Sequence, residues 1–162
     1  MQARTATGGS LVEVEGHGKK VQLLPEVAAD LARLQVAARK AGFKPPLFLP
    51  VSGYRDSKRQ AELYEEGKIK HGANVNTYVA PPGQSSHETG RAIDFHLGYS
   101  VSSSQADKIR GDGAHKWLVQ NAAQFNFYPY TVEPWHWEHG KPHASSYVAE
   151  IAQLKQSGRI PA

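Results

Sequence analysis

Cysteine is absent from the 162 residues. A thiolate metal site, a catalytic thiol and a disulfide framework are therefore excluded, and any bound metal must take nitrogen and oxygen ligands. No apolar run approaches the roughly 20 residues of a membrane span. The first ten residues, Met1 to Ser10, lack the apolar core of a secretory signal. Several catalytic signatures are missing as well. Without His-Glu-x-x-His there is no thermolysin-like helix site, and without Gly-x-Ser-x-Gly or a phosphate-binding glycine loop there is no nucleophile elbow or P-loop. No basic run is interleaved with aromatics, so nucleic acid is not an expected partner.

What remains is ordinary globular composition, 40% hydrophobic and 21% charged, which argues against disorder. The length fits one domain with a real core. A net charge of +4 suits an anionic partner such as a membrane surface, nucleic acid or bacterial wall, but a mildly basic protein needs no such partner. Charge alone does not choose.

Along the chain, Leu11–Glu15 and Lys20–Leu24 flank Gly16-His17-Gly18 and predict a hairpin. From Pro25 the apolar residues Val27, Leu31, Leu34, Ala38 and Ala41 recur at helical spacing, with Gly42 as the stop. Leu47 to Val51 reads as a buried strand. Ser57 and Gln60 form a capping-box pattern that opens a short helix ended by Gly67. Residues 68–84 read mostly as loop. Arg91 to Leu97 reads as a strand with Ala92, Asp94 and His96 on one face. Ala114 to Phe125 predicts a helix, Phe127 to Tyr130 and Trp135 to Glu138 predict strands, and a last helix runs from about Ser146 to Gly158. Short strands separated by loops favour an α+β fold, a small central antiparallel sheet flanked by helices in a single domain. Residues 1–24 form an N-terminal extension with the hairpin, and residues 25–162 the main domain.

Two segments carry chemistry. Ser85-Ser86-His87-Glu88-Thr89-Gly90-Arg91-Ala92-Ile93-Asp94 is answered by Glu133-Pro134-Trp135-His136 some forty residues later. Together they supply two imidazoles and a carboxylate for a divalent metal, with a second carboxylate beside the last imidazole. That is the inventory of a catalytic zinc site, three protein ligands, an open position and a general base. His87, Asp94 and His136 are the expected ligands. Gly90 lets the chain turn between the first two. Glu133 is the expected base, standing on a loop because Pro134 delays the start of its strand. Its other possible role is to orient His136 from behind. Arg55, at a strand-to-helix junction, is the candidate for stabilising an oxyanion; the alternative is a surface pair with Asp56. His96, His139 and His143 read as non-ligands, His17, His71 and His115 as surface, and Trp135 and Trp137 as core.

Ser52-Gly53-Tyr54-Arg55, Ser85-x-His87-x-x-Gly90-x-Ala92-x-Asp94 and Glu133-Pro134-Trp135-His136-Trp137 together resemble the D-alanyl-D-alanine carboxypeptidase and dipeptidase family of zinc peptidases. Its members include VanY-type carboxypeptidases, VanX-type dipeptidases and phage L-alanyl-D-glutamate endolysins. The resemblance spans residues 47–140, in order. It implies zinc on His87, Asp94 and His136, Glu133 as base, Arg55 at the substrate carbonyl, and Ser85 as a substrate contact; Tyr54, beside Arg55, is a further candidate contact that the resemblance does not itself assign. For Ser85 the bland reading is a loop-capping hydroxyl. The implied activity is hydrolysis of peptidoglycan stem-peptide bonds involving D-amino acids, by a carboxypeptidase or an endopeptidase. The alternative is a non-catalytic zinc-containing wall-binding or signalling domain of the same fold. A monomer acting in the periplasm or cell wall is expected, either released by a phage, delivered by a secretion apparatus or trimmed of a leader. The stretch Glu138-His139-Gly140 carries no expectation.

Overall fold

The structure, a computed structural model, describes residues 9–162. Residues 1–8, on which the reading of the N-terminus largely falls, lie outside the described residues. Alternation dictates the first element. In β1 (Val12–Glu15) and β2 (Lys20–Leu23), paired antiparallel, Val21 and Leu23 turn inward while Lys20 and Gln22 face water. This hairpin is tied to the rest by backbone bonds: His17 N–H donates to the Pro50 carbonyl, Tyr54 N–H to Gln22 and Leu24 N–H to Gly90. Helix α1 (Pro25–Lys40) follows the predicted pattern. Pro25 occupies its first turn, where the missing N–H costs nothing, and Val27, Leu31, Leu34 and Ala38 form its buried stripe.

Three expectations fail here. The strand predicted over 47–51 is shorter, with β3 confined to Pro50–Ser52. Phe48 adopts φ 69° and is wholly buried, so the chain turns before it extends. Helix α2 (Ser57–His71) is capped by Asp56, whose carboxylate accepts from the Arg59 N–H at 2.8 Å, and not by Ser57. Nor does α2 stop at Gly67. A Cβ there would sit 2.9 Å from Val75 and 3.0 Å from Val79, so this glycine permits close packing and the helix ends at Gly72, φ +57°. Residues 68–84 consequently hold the last turn of α2, a 3₁₀ turn (Gly72–Asn74) and α3 (Val75–Tyr78) before the chain becomes loop.

The central sheet has strand order β3–β4–β6–β5, all antiparallel, with β4 at Ala92–Phe95, β5 at Phe127–Tyr130 and β6 at Glu133–His139. Two short helices the sequence reading left out or merged, α4 (Ala106–Gly111) and α5 (Gly113–Asn121), precede β5, and α6 (Val148–Gln156) follows β6. Ile93, Phe95 and Trp137 join Leu31, Leu34, Phe48, Leu118 and Phe127 in the core. Phe95 meets both Phe48 and Phe127 edge-on. Full burial of such side chains contributes roughly 1.5–3 kcal/mol each, so this face fixes the sheet. The opposite face of β4 and β6 is left for polar groups. The fold is α+β with a small antiparallel sheet, as expected.

Candidate metal centre

Register brings the site together. Asp94 on β4 lies directly opposite His136 on β6, and Ala92 opposite Glu138, so Asp94, His136 and Glu138 share one face. His87 arrives from a 3₁₀ turn (Ser86–Thr89). Ser85 caps that turn through a hydrogen bond from the His87 N–H at 3.1 Å, and Glu88 reaches back to the Ser85 N–H. Gly90 then reverses the chain at φ +79°, ψ 6°, where a Cβ would also meet Leu11 at 2.9 Å.

Nε2 of His87 and Nδ1 of His136 stand 3.1 and 2.9 Å from the same oxygen, Oδ1 of Asp94. All three side chains are buried. Each imidazole is fixed by its other nitrogen. Nδ1 of His87 donates to the Gly53 carbonyl at 2.8 Å, and Nε2 of His136 donates to Glu138 Oε2 at 2.8 Å. That leaves one lone pair per ring turned toward Asp94, the arrangement in which imidazoles ligate a cation.

The electrostatics agree with a cation there. Burial opposes charge on Asp94, yet the two imidazoles hold its carboxyl well below the ordinary range. Burial likewise opposes charge on His136, but its bonds to Asp94 and Glu138 push it up to about 10. A divalent ion held by His136 would supply the positive charge that its two flanking carboxylates demand, without that proton. Burial and the nearby Arg55 guanidinium lower His87. Residues and geometry thus fit a His₂Asp site.

Glu133 stands apart from the ligands in character. Burial first, and the Asp94 charge second, push it up to about 7. Two carboxylates are thereby driven in opposite directions, one toward a permanent ligand charge and the other toward a proton that moves near neutrality. The expectation that Glu133 lies on a loop is corrected: it opens β6. A register break places Tyr130 opposite Glu133 and Pro129 opposite Trp137, so Pro134 falls where the ladder is interrupted and its missing N–H goes unneeded. The break frees Glu133 and His136 from strict alternation, and both line one cavity of about 390 Å³.

Arg55, Ser85 and Ser86 line that cavity too. Arg55 pairs with Asp94 Oδ2 at 3.4 Å and donates to Gln60 and Ser52, and Asp56 is occupied as the helix cap. Tyr54 is not on this cavity. It lines a second one of about 610 Å³, beneath the hairpin, which shares Arg55 and Asp94 with the first. Among the other histidines, His96 stacks on His17 at 4.0 Å and His139 turns to the opposite face, 2.7 Å from Asp30. Trp135 and Trp137 are core, as expected.

Sequence reasoning missed Glu138. It is fully buried and accepts from His136, from His143 at 2.6 Å and from the Tyr147 hydroxyl, with Arg91 Nη1 at 3.6 Å. Arg91 is itself clamped by Glu150 on α6. The bond from His136 is among the contacts that hold Glu138 down at about 2 against its burial. One signal was available: Glu138 is two residues from His136, hence on the same strand face.

A sequence profile described as VanY, D-alanyl-D-alanine carboxypeptidase, matches residues 20–141. The chain is 32% identical over 150 residues to the bifunctional D-Ala-D-Ala dipeptidase and D-Ala-D-Ala carboxypeptidase VanXYC of Enterococcus gallinarum, covering 84% of this chain and 77% of that one. It is 29% identical over 153 residues to a D-alanyl-D-alanine carboxypeptidase of Enterococcus faecalis, covering 79% of this chain and about half, 52%, of that relative's length. Among solved structures, the E175A mutant of the vancomycin-resistance D,D-pentapeptidase VanY in complex with Zn(II) superposes with a TM-score of 0.62. There the identity is 23%, with 96% of this chain and 89% of that chain covered, a likeness of fold.

Proposed function

The chain belongs to the VanY family of D-alanyl-D-alanine carboxypeptidases, and on that footing we propose that it is a zinc-dependent peptidase of peptidoglycan stem peptides. The bond cleaved involves a D-amino acid, as the family's substrates suggest. The observation that carries this reading is the meeting of His87, Asp94 and His136 at one buried point, with a carboxyl of pKa about 7 lining the same cleft.

His87 Nε2, an Asp94 oxygen and His136 Nδ1 would hold the zinc. Bound there, zinc supplies Lewis acidity toward the scissile carbonyl and toward water. The remaining work falls to the chain. Glu133 takes a proton from the attacking water and returns it to the leaving amine, a task suited to a group that titrates near neutrality. Arg55 presents N–H donors to the carbonyl oxygen as charge builds on it. Asp94 Oδ2 and Gln60 orient that guanidinium in advance. Ser85 contacts substrate with whatever its capping bond leaves free. Tyr54 faces the second cavity, away from Glu133 and His136.

The test is mass spectrometry of fragments released from purified peptidoglycan, with and without chelator, beside a Glu133→Ala protein. Chelator-sensitive cleavage, lost in the variant while zinc content holds, supports the reading. Loss of one terminal alanine identifies a carboxypeptidase, and freed stem peptides or severed cross-links an endopeptidase. Zinc-loaded, folded protein that cleaves nothing supports instead a binding domain of the same fold. Zinc lost together with activity in Glu133→Ala would assign Glu133 to the support of the metal.

A further inference from the structure

The side-chain cluster behind His136 includes a second imidazole that the reaction above does not use. His143 lies two residues beyond the stretch matched by the family profile. Its Nδ1 is 2.6 Å from Oε2 of Glu138, and its ring stacks on Tyr130 at 4.0 Å and 20°. An ionised carboxylate only accepts hydrogen bonds. Glu138, wholly buried with the Arg91 guanidinium at 3.6 Å as its counter-charge, therefore receives N–H from both imidazoles, His136 through Nε2 and His143 through Nδ1. Tyr147 OH donates to the other oxygen, so the carboxylate is satisfied and pinned.

The tautomer follows. With its proton on Nδ1, the His143 ring presents Nε2 as its acceptor. The Nδ1 edge faces a wholly buried carboxylate, whereas the side chain as a whole is 35% exposed, so the exposed edge is the one bearing Nε2. That edge opens on the cavity lined by His87, Asp94, His136 and Glu133. The two ring centroids, His136 and His143, are 6.3 Å apart. This is about twice the rise of an extended peptide residue, too far for the reacting atoms and suitable for a neighbouring linkage.

We propose that His143 is a further substrate-contacting residue, its Nε2 accepting a hydrogen bond from a backbone N–H that flanks the scissile bond, with Glu138 as the residue that positions it. The proposal rests on the peptidase reading for the identity of its ligand. It complements Arg55, which offers donors where His143 offers an acceptor, and an extended peptide presents both kinds of group. A buried N–H left without a partner is costly, so the contact discriminates between linkages that have the proton and linkages that lack it.

The experiment uses the full chain, zinc-loaded, with Glu133→Ala to prevent turnover. A synthetic pentapeptide ending in D-Ala-D-Ala is titrated calorimetrically, beside two analogues in which an ester replaces either the amide that precedes the D-Ala-D-Ala bond or the amide one residue further from it. Adding His143→Ala should weaken the all-amide peptide about tenfold and leave one ester analogue unchanged. One zinc per chain should be retained throughout. Nitrogen NMR of the parent should show His143 as the Nδ1–H tautomer, its Nε2 signal moving when the peptide binds. Equal weakening for amide and both esters, or none, overturns the contact. So does a second metal ion per chain that disappears in His143→Ala, since the imidazole would then be a ligand with His136 and Glu138. Protein that binds but never cleaves without the Glu133 change defeats the peptidase reading and leaves the contact standing. Cleavage that is indifferent to His143→Ala does the reverse.

Discussion

The two faces of β6 use the same residue pair for different ends. On one face His136 meets Asp94 at 2.9 Å, and on the other His139 meets Asp30 at 2.7 Å. His139 has one carboxylate partner, and Asp30 answers it from α1 while also accepting from Arg33 and Asn126. That pair pins a helix to a sheet. His136 sits between two carboxylates, and its aspartate is shared with a second imidazole. An aspartate–histidine contact therefore says little by itself; the surplus of acceptors around His136 and the convergence of lone pairs on Asp94 mark a place for a cation.

The largest effects should separate the faces outright. His136→Ala is expected to remove both zinc and activity, and Glu133→Ala to cut kcat/KM by at least about 10³-fold while zinc stays. His139→Ala should leave kcat/KM within about twofold. Metal analysis alongside a peptide-release assay checks all three. A His139→Ala protein that folds but is inactive would erase the distinction.

Glu138→Gln sharpens the comparison from behind the metal. An amide can take the place of the carboxylate sterically, but its charge no longer fixes the Nε2–H tautomer of His136 or balances Arg91. Zinc affinity is expected to fall about 10- to 100-fold, read by competition with a coloured chelator. Unchanged affinity would reduce Glu138 to an anchor for α6.

How much of this was legible depends on how far apart the signals lie. His87, Asp94, Glu133 and His136 occupy two short segments whose order and spacing speak for themselves. Strand parity also accounts for His139, three residues after His136 and turned to the far face. The Glu138 network draws on Arg91 just ahead of β4, His143 and Tyr147 in the connection between β6 and α6, and Glu150 on α6, and no regular spacing encodes it. The misread helix end has a similar cause. Gly67 and Gly72 look alike in sequence, and only the approach of Val75 and Val79 gives the first a packing role and leaves the second to end the helix.

A third comparison sets function against stability. Glu133 ionises with difficulty because it is buried beside Asp94, its pKa raised from 4.5 to about 7. A carboxyl whose folded pKa lies above its unfolded one stabilises the fold below the unfolded value and loses that contribution as pH rises through the folded value. In chelated protein Glu133→Gln should therefore be more stable than the parent at pH 8 by about 1–3 kcal/mol, with the difference shrinking toward pH 5. Urea unfolding at the two pH values measures it. A variant less stable at pH 8 would mean that the charge is welcome, and that Glu133 is not held ready to take a proton.

The smallest effect belongs to the structural pair, and its sign is opposite. Burial raises the Asp30 carboxyl, but bonds from His139, Asn126 and Arg33 overcome this and leave it below the ordinary value of 3.8. A depressed carboxyl contributes stability above its unfolded pKa and loses it as pH falls through the folded one. The loss thus begins near pH 4 and continues downward, far from the range in which Glu133 titrates. Because the pair is partly open to solvent, Asp30→Asn is expected to cost about 1 kcal/mol at pH 7. At pH 3 the difference should be smaller than at pH 7, since this contribution is lost on the acid side of the unfolded value. Thermal unfolding of parent and variant at both pH values measures the two gaps. A gap as wide at pH 3 as at pH 7 would assign the loss to packing between α1 and β6, and the Asp30–His139 charge would then contribute nothing to holding helix and sheet together.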